Sequence, residues 1–219
     1  MFLDTANLEE IKQAYQTSLF KGVTTNPTIL LKEHKPRFAQ LKQIKSFSDG
    51  LLFCQVLGND AQERFADYLH IMEFAHQEEI PLIIKVPIDF AGLETIKLIK
   101  GYKQDQQLLA TAVYSAEQGI LAAIAGCDYI APYVNRMENL GIDAMRQISQ
   151  MRHFIDGRKG TTQIMAASFK RTEQVIQSLH AGAHTCTIPF DVFQTMTTSQ
   201  IVSAAIAVFN DHGNALPKD

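Results

Sequence analysis

The sequence is poor in cysteine, and its few cysteines show no spacing typical of a disulfide framework or a metal site. Only Cys54, Cys127 and Cys186 occur in 219 residues, each in an apolar run far from the others. Neither C-x-x-C nor H-E-x-x-H is present, and the two histidines that lie four residues apart have a glycine between them. We therefore expect reduced core thiols, a reducing compartment, and no metal or other cofactor.

The sequence also lacks glycine-rich phosphate loops, a large excess of one charge and any long apolar run. G-x-G-x-x-G and G-x-x-x-x-G-K-[ST] are both absent, which argues against a nucleotide site. The formal net charge of -3 gives no electrostatic signature of nucleic acid binding. No apolar run approaches the roughly 20 residues of a membrane span, and the N-terminus does not resemble a signal peptide. We expect no nucleic acid or membrane partner and a cytoplasmic location.

Short apolar runs alternate along the chain with helical patterns. Eight of these runs predict strands, at 2–5, 22–26, 51–57, 81–87, 108–113, 129–133, 163–167 and 184–188. They predict one α/β domain over residues 1–219 that closes into a (β/α)8 TIM barrel, with a doubly wound open sheet as the alternative. An additional C-terminal helix is predicted at 199–210, either beneath the barrel or against a neighbouring subunit. A loose polar tail is expected from Gly213 to Asp219.

One lysine interrupts an otherwise apolar run. In PLIIKVP, Pro81 and Pro87 bound a strand typical of burial on both faces, and Lys85 lies near its end. A lysine in this place either extends its ammonium group to solvent or is enclosed and becomes an amine able to attack a carbonyl. This stretch alone leaves both interpretations open.

Polar residues also interrupt the ends of the other predicted strands. In a barrel the C-terminal strand ends share one face, where the active sites of such barrels lie. Several polar side chains that converge above an apolar core are typical of a preorganised site, and they make the lysine a candidate nucleophile. The residues concerned, each near the end of a different strand, are Asp4, Asn26, Gln55, Lys85, Thr111, Tyr133 and Ser168.

Cationic and hydroxyl side chains follow the sixth and seventh predicted strands. Arg136 comes just after the sixth strand, and Ser168 and Lys170 come just after the seventh. Loops after late strands are a frequent phosphate site in barrels, and a guanidinium with a hydroxyl suits a phosphate monoester. The alternative is that the two cations are solvated on surface loops.

Five motifs, in this order along the chain, resemble the transaldolase family. They are LDTA at 3–6, GVTTNP at 22–27, IKVP at 84–87, APYVNR at 131–136 and AASFK at 166–170. They are most similar to the short branch of the family, the fructose-6-phosphate aldolases and small transaldolases. The resemblance runs from Leu3 to about Phe209, so it covers nearly the whole chain. GVTTNP and the lysine of IKVP are its most specific parts.

The resemblance implies a (β/α)8 barrel and a metal-free class I aldolase mechanism, in which Lys85 forms a Schiff base with the substrate ketone. The protonated imine would act as an electron sink while the C3–C4 bond of a ketose phosphate breaks or forms. By position, Asp4 and Asn26 would orient the hydroxyls of the dihydroxyacetone unit, and Thr111 would hold a catalytic water. The aldehyde-side phosphate would be held by Arg136, Ser168 and Lys170.

Two positions separate the branches of this family. Transaldolases typically have a glutamate at the end of strand three and a phenylalanine in the strand-six motif, where this chain has Gln55 and Tyr133. A glutamine does not exchange a proton near neutral pH, whereas a phenol beside a cationic imine can. The resemblance therefore implies Tyr133 as general acid/base, with Gln55 and Thr111 positioning the water. It favours cleavage of fructose 6-phosphate to free dihydroxyacetone and glyceraldehyde 3-phosphate.

Two alternatives stay open beside this aldolase. One is a transaldolase that transfers dihydroxyacetone between sugars, and the other is a barrel that binds sugar phosphate without turnover. The chain departs from the family in segment 137–143, which lacks a glycine pair, and at Lys170, where large transaldolases have arginine, so acceptor preference is also open. Since the family assembles into rings through its C-terminal helix, the resemblance implies a ring-like homo-oligomer, such as a decamer.

Overall fold

A computed structural model of the chain describes residues 1–217 and contains eight parallel strands that close into a barrel. The strands are β1 (Phe2–Asp4), β2 (Gly22–Thr24), β3 (Leu51–Gln55), β4 (Leu82–Pro87), β5 (Leu108–Val113), β6 (Tyr129–Pro132), β7 (Gln163–Ala166) and β8 (Thr185–Ile188). Each strand pairs with its neighbours in sequence, and β8 closes on β1 with Leu3 opposite Ile188. The predicted (β/α)8 barrel is therefore confirmed, and the open sheet is wrong.

Helices connect the strands and surround the barrel. Within residues 1–217 they are α1 (Leu8–Tyr15), α2 (Pro27–Leu31), α3 (Arg37–Phe47), α4 (Ala61–Gln77), α5 (Phe90–Tyr102), α6 (Ala116–Ile124), α7 (Val134–Asn139), α8 (Ala144–Gly157), α9 (Thr172–His180), α10 (Phe190–Thr197) and α11 (Gln200–Asn214). Several begin at a side chain that accepts a hydrogen bond from a free backbone N–H of the first turn, as Asp60 does from Glu63.

The sequence pattern misses two short helices, α2 and α7, that follow strands directly. Helix α2 has Pro27 in its first turn, where a residue without an N–H is tolerated, and its cap is Asn26. Helix α7 begins after Tyr133, where the sequence interpretation continues the chain as an irregular loop. Helices of five and six residues are too short to show a 3.6-residue period, so composition gives no signal for them.

Two apolar layers hold the barrel. One lies between the strands and the surrounding helices, and the other fills the barrel interior with Phe2, Phe53, Ile83, Leu109, Ala131, Met165 and Ala167. Because side chains alternate across a strand, residues two positions further along also face the interior. In five strands that next residue is polar, which places a polar layer directly above the apolar one: Asp4, Gln55, Lys85, Thr111 and Tyr133.

A β-bulge interrupts the pairing of β5 with β6. Ala110 pairs with Ile130, but the next pair joins Val113 to Pro132, so β5 has one extra residue between them. Ala112 in the bulge has φ 56°, the left-handed region that residues with a Cβ seldom adopt. Thr111 lies in this irregular segment, between Ala110 and Ala112, and lines the mouth of the barrel.

The C-terminal helix α11 extends further than predicted and does not pack beneath the barrel. It runs from Gln200 to Asn214 with Ser199 as its cap, so the expectation of a loose tail is wrong for Gly213 and Asn214, while residues 218–219 lie outside the described range. None of its residues is buried. Within residues 1–217, no single helix is long and apolar enough to cross a membrane, although α10 and α11 together meet that test as a bent pair.

Candidate active site

A cavity of about 210 Å³ opens at the C-terminal ends of the strands. Its lining includes eight of the nine residues that the sequence predicts for the site: Asp4, Asn26, Lys85, Thr111, Tyr133, Arg136, Ser168 and Lys170. They come from six strand ends and from the short helix α7, and the interior apolar layer closes the cavity from below. The structure thus brings together residues that are up to 166 positions apart, from Asp4 to Lys170.

Gln55 is the predicted site residue that does not line this cavity. It ends β3, pairs in register with Lys85 and is partly buried. Because Gln55 is two positions after the interior residue Phe53, its Cβ points into the barrel. Its long side chain can nevertheless lie along the barrel wall instead of extending into the cavity. Its proposed part in water positioning therefore stays a prediction.

Lys85 lies deep in the cavity wall rather than at the surface. Only 5% of the residue is exposed, so the interpretation in which its ammonium group reaches solvent is wrong. Its Nζ donates a hydrogen bond to the backbone carbonyl of Thr25 at 2.5 Å, which fixes the end of a long, flexible side chain. The amine is therefore held on the rigid barrel at a position that a small ligand in the cavity can reach.

The nearest thiol on the neighbouring strand is not a competing nucleophile. Cys54 pairs in register with Ile84, next to the lysine, and is completely buried in the outer apolar layer. Burial raises the pKa of the Cys54 thiol to about 12. Because the thiolate is the nucleophilic form, this cysteine is unreactive near neutral pH.

Tyr133 and Thr111 form a hydroxyl pair on the wall of the cavity. Their oxygens lie 2.8 Å apart, and either can be the donor. The register of β5 against β6 shifts next to Thr111, and a single bridge between Tyr133 and Ala167 holds the tyrosine backbone beside the end of β7. A phenol hydrogen-bonded to a second hydroxyl can transfer a proton to or from a bound ligand.

Arg136 packs against the same tyrosine. Its guanidinium lies 5.0 Å from the centre of the Tyr133 ring, and its Nη1 donates to the Tyr114 hydroxyl at 3.3 Å. The rings of Tyr114 and Tyr133 meet edge to face at 5.8 Å. Chiefly because of the hydrogen bond to Tyr114, the pKa of Arg136 is raised further, so a permanent cation faces the mouth of the cavity.

Two threonines complete the site around Asp4, and the sequence interpretation does not include them. The Thr24 hydroxyl lies 2.6 Å from both Asp4 Oδ1 and the Thr187 hydroxyl, and both threonines line the cavity. Each is an inward residue of its strand, β2 or β8, so the alternation that reveals the other strand-end residues could have indicated them. Because threonine is common in strands, a threonine near a strand end does not by itself indicate a site residue.

The Asp4 carboxyl is partly buried in this arrangement and faces the cavity. Burial raises its pKa from the ordinary 3.8, while Lys85, the hydrogen bond from Thr24, and Arg136 act in the opposite direction. Desolvation is the largest of these effects, so the proton is held more tightly than in water. Asp4 can thus form strong hydrogen bonds with hydroxyl groups of a ligand in the cavity.

The side of the cavity formed by α2, α7 and the loop after β7 is cationic. The Asn26 Oδ1 atom accepts from the Ile29 N–H at 3.0 Å and caps α2, which leaves its amide NH₂ for a ligand. Ser168 has φ 62°, a left-handed conformation at the turn out of β7. The lining of the cavity has four cations, Lys32, Lys85, Arg136 and Lys170, against one carboxylate, that of Asp4. This balance favours an anionic ligand, and Lys32 is a cation that the sequence interpretation misses.

Comparison with known proteins agrees with this geometry. The family model described as transaldolase/fructose-6-phosphate aldolase matches residues 1–216. A protein of Streptococcus pneumoniae (strain ATCC 700669 / Spain 23F-1) named probable fructose-6-phosphate aldolase is 39% identical over 212 residues, covering 95% of this chain and 93% of that protein. The chain is similar to this relative over nearly its entire length.

Proposed function

Because the chain belongs to the transaldolase/fructose-6-phosphate aldolase family, we propose that it is a class I aldolase. Its proposed reaction is the reversible cleavage of fructose 6-phosphate to dihydroxyacetone and glyceraldehyde 3-phosphate. The observation that carries the proposal is the buried amine of Lys85, held by the Thr25 carbonyl in a cavity that also contains the hydroxyl pair of Thr111 and Tyr133.

In the cleavage direction the chemistry starts at Lys85. Its amine nitrogen adds to the C2 ketone of the open-chain sugar, and loss of water leaves a protonated imine. The imine accepts the electron pair of the C3–C4 bond as that bond breaks, which gives an enamine on the lysine. At the same time Tyr133 accepts the proton of the C4 hydroxyl, so that C4 leaves as the aldehyde of glyceraldehyde 3-phosphate.

The second half of the reaction returns the enzyme to its starting state. A proton is delivered to C3 of the enamine, with Tyr133 as donor and the neighbouring Thr111 hydroxyl holding the water that takes part. That water then adds to C2 of the imine, and release of dihydroxyacetone regenerates the amine. Asp4 and Asn26 are proposed to bind the hydroxyls of the three-carbon unit, and Gln55 is proposed to help position the water.

The phosphate of the substrate is proposed to lie at the cationic side of the cavity. Arg136, Ser168 and Lys170 supply a guanidinium, a hydroxyl and an ammonium there. Asp4 is the last residue of β1, whereas Arg136 and Lys170 lie beyond the ends of β6 and β7, so the proposed phosphate-binding end is further along the barrel axis than the end that binds hydroxyls. This polarity fixes which end of a ketose phosphate faces Lys85.

The test of the proposal is acceptor dependence. We expect purified protein given only fructose 6-phosphate to release dihydroxyacetone and glyceraldehyde 3-phosphate at equal rates, because hydrolysis by the held water needs no second sugar. Each product is measured with its own coupled dehydrogenase assay. Product that forms only after erythrose 4-phosphate is added would identify a transaldolase and contradict the aldolase assignment. No turnover in either mixture, with retained phosphate binding, would identify a non-catalytic sugar-phosphate-binding barrel.

The chain is further proposed to be a cytoplasmic homo-oligomer. The three cysteines are free buried thiols, which suits a reducing compartment. Helix α11 buries none of its residues, yet it exposes the large apolar side chains of Ile201, Val202, Ile206 and Phe209. Successive residues turn by 100°, so these four share one side of the helix. A second copy of the chain is the proposed cover for this side, in a ring-like assembly such as a decamer.

We expect the double variant Ile201→Ser/Phe209→Ser to lower the molar mass measured by light scattering to that of a smaller assembly or a monomer. Each substitution removes an exposed apolar group whose burial contributes about 2 kcal/mol per copy. The control, Ala204→Ser/Ala207→Ser, changes the opposite side of α11 and should keep the native mass. An equal mass for the native chain and both variants would contradict the role of α11 in assembly.

A further inference from the structure

Gln174 is a buried glutamine of α9 that lies outside the cavity lining but joins two of the segments that form it. The residue is completely buried and is the third residue of the helix. Its Oε1 accepts hydrogen bonds from the backbone N–H groups of Lys170 and Arg171 at 2.8 and 3.1 Å. Its Nε2 donates to Asn135 Oδ1 at 3.2 Å and to Glu138 Oε2 at 2.6 Å.

These four hydrogen bonds use the full capacity of an amide side chain, which has two donor hydrogens and an oxygen that accepts twice. Two of them hold the loop after β7, which carries Ser168 and Lys170, and the other two hold α7, which carries Arg136. No apolar or singly charged side chain of this size can replace both sets.

Other contacts bring the same two segments together at their start. The Asn135 N–H donates to the Ser168 carbonyl at 2.8 Å, and the Val134 N–H donates to the Ala167 carbonyl at 2.9 Å. Arg171 also reaches Glu138 at 3.0 Å, but its side chain is 62% exposed and such a surface pair contributes little. Beyond these backbone contacts, the buried amide of Gln174 is therefore the main side-chain link between α7 and the loop after β7.

We propose that Gln174 is a positioning residue for the phosphate-binding end of the site. It fixes the spacing between the guanidinium of Arg136 and the hydroxyl and ammonium of Ser168 and Lys170, so that all three meet one phosphate group. It does not itself touch the ligand. The inference rests on the proposed function, since it assumes that a phosphorylated substrate occupies this end of the cavity.

Gln174 could instead serve only to cap α9, and one substitution separates this capping role from the proposed positioning role. Gln174→Glu keeps the oxygens that accept from the N–H groups of Lys170 and Arg171, and a negative charge in the first turn of a helix is favourable. The same substitution removes the NH₂ group and places a carboxylate against that of Glu138. It therefore keeps the cap and breaks the link to α7.

The experiment measures aldol addition of dihydroxyacetone to glyceraldehyde 3-phosphate and to unphosphorylated glyceraldehyde with the same preparation. In Gln174→Glu we expect KM for the phosphorylated acceptor to rise about 10-fold, while KM for glyceraldehyde and both kcat values stay within about twofold. The double variant Gln174→Glu/Glu138→Gln restores a donor between the two side chains and should recover most of the loss. Glu138→Gln alone is the matched control and should remain near native.

A ratio of KM values is unaffected by a partly misfolded preparation, so the comparison holds even if the variant is less stable. An unchanged ratio, with or without a lower melting temperature, would mean that Gln174 only caps its helix and would overturn the inference. Binding of inorganic phosphate, measured by calorimetry without donor, separates this result from failure of the proposed function. If the native chain binds phosphate but makes no sugar, the reaction assignment fails, and the inference is judged by whether Gln174→Glu weakens that binding about 10-fold.

Discussion

Replacing Lys85 with methionine is expected to reduce kcat for fructose 6-phosphate cleavage by about 10⁴-fold or more, because the other amines of the cavity lining, Lys32 and Lys170, are exposed to solvent and do not share the enclosed position of Lys85. Methionine has a similar length, and its unbranched apolar side chain suits a position that is only 5% exposed. We therefore expect the protein to fold with a melting temperature at or above that of the native chain, since a buried lysine is costly. Steady-state kinetics and thermal unfolding measure the two effects.

Two controls limit the interpretation of the Lys85 result. Lys97→Met removes an exposed lysine from α5 and should leave the rate unchanged. Lys85→Arg keeps the positive charge without a nucleophilic amine, so it should be as inactive as the methionine variant. A Lys85→Arg enzyme that retains a substantial part of the native rate would mean that the lysine acts by charge alone, and the Schiff-base mechanism would be wrong.

Replacing Tyr133 with phenylalanine is expected to lower kcat by roughly 10²-fold or more, because proton transfer to and from the sugar loses its positioned group. The ring, its edge-to-face contact with Tyr114 and the guanidinium of Arg136 packed on it are all kept, so binding should change little. The imine should still form, since the amine is untouched. A rate loss with retained imine formation would place Tyr133 at the step that breaks the C3–C4 bond.

The control for Tyr133→Phe lies on β6, the strand that ends just before Tyr133. Tyr129 is four residues earlier on β6, and its ring packs against Phe2 and Phe53 in the interior apolar layer rather than at the cavity. Tyr129→Phe therefore makes the same chemical change below the site and should retain the native rate. If Tyr133→Phe also retains the native rate, the phenol is not the general acid/base, and the pair with Thr111 has another purpose.

The barrel itself could be predicted from the sequence because strand and helix patterns repeat along the chain. Proline residues at both ends of the PLIIKVP run and the single lysine inside it indicated a buried strand with an unusual side chain. The structure bears this out, with Lys85 enclosed on β4. Most of the other strand-end residues face the same cavity, because a period of two places them directly above apolar interior residues.

What could not be predicted depends on contacts between distant segments. The hydrogen bonds between Thr24 and Asp4 and between Thr24 and Thr187 join residues 20 and 163 positions apart, and neither threonine looks unusual in its own strand. The link made by Gln174 depends in the same way on how α9 packs beside α7. The sequence around each residue does not show which distant residue it will contact. A polar residue in a helical pattern is therefore interpreted as an ordinary surface position.

The position of Gln55 shows another limit of pattern reasoning. Strand alternation and pairing with Lys85 give the direction of its backbone, but the structure does not place it in the cavity lining. The conformation of a flexible side chain is decided by local packing, which the sequence pattern does not specify. The length of α11 is a similar case, since a helix that buries no residue of its own has no apolar boundary to mark its end.

Borohydride trapping tests the central claim, that Lys85 forms an imine with the dihydroxyacetone unit of the substrate. The protein is incubated with dihydroxyacetone, reduced, digested and examined by peptide mass spectrometry, with Lys85→Met treated in parallel. We expect one modified peptide, the one that contains Lys85, with a mass increase equal to dihydroxyacetone less one oxygen atom, and no such modification in the variant. An unmodified Lys85 peptide, or equal labelling of the variant at another lysine, would contradict the Schiff-base account.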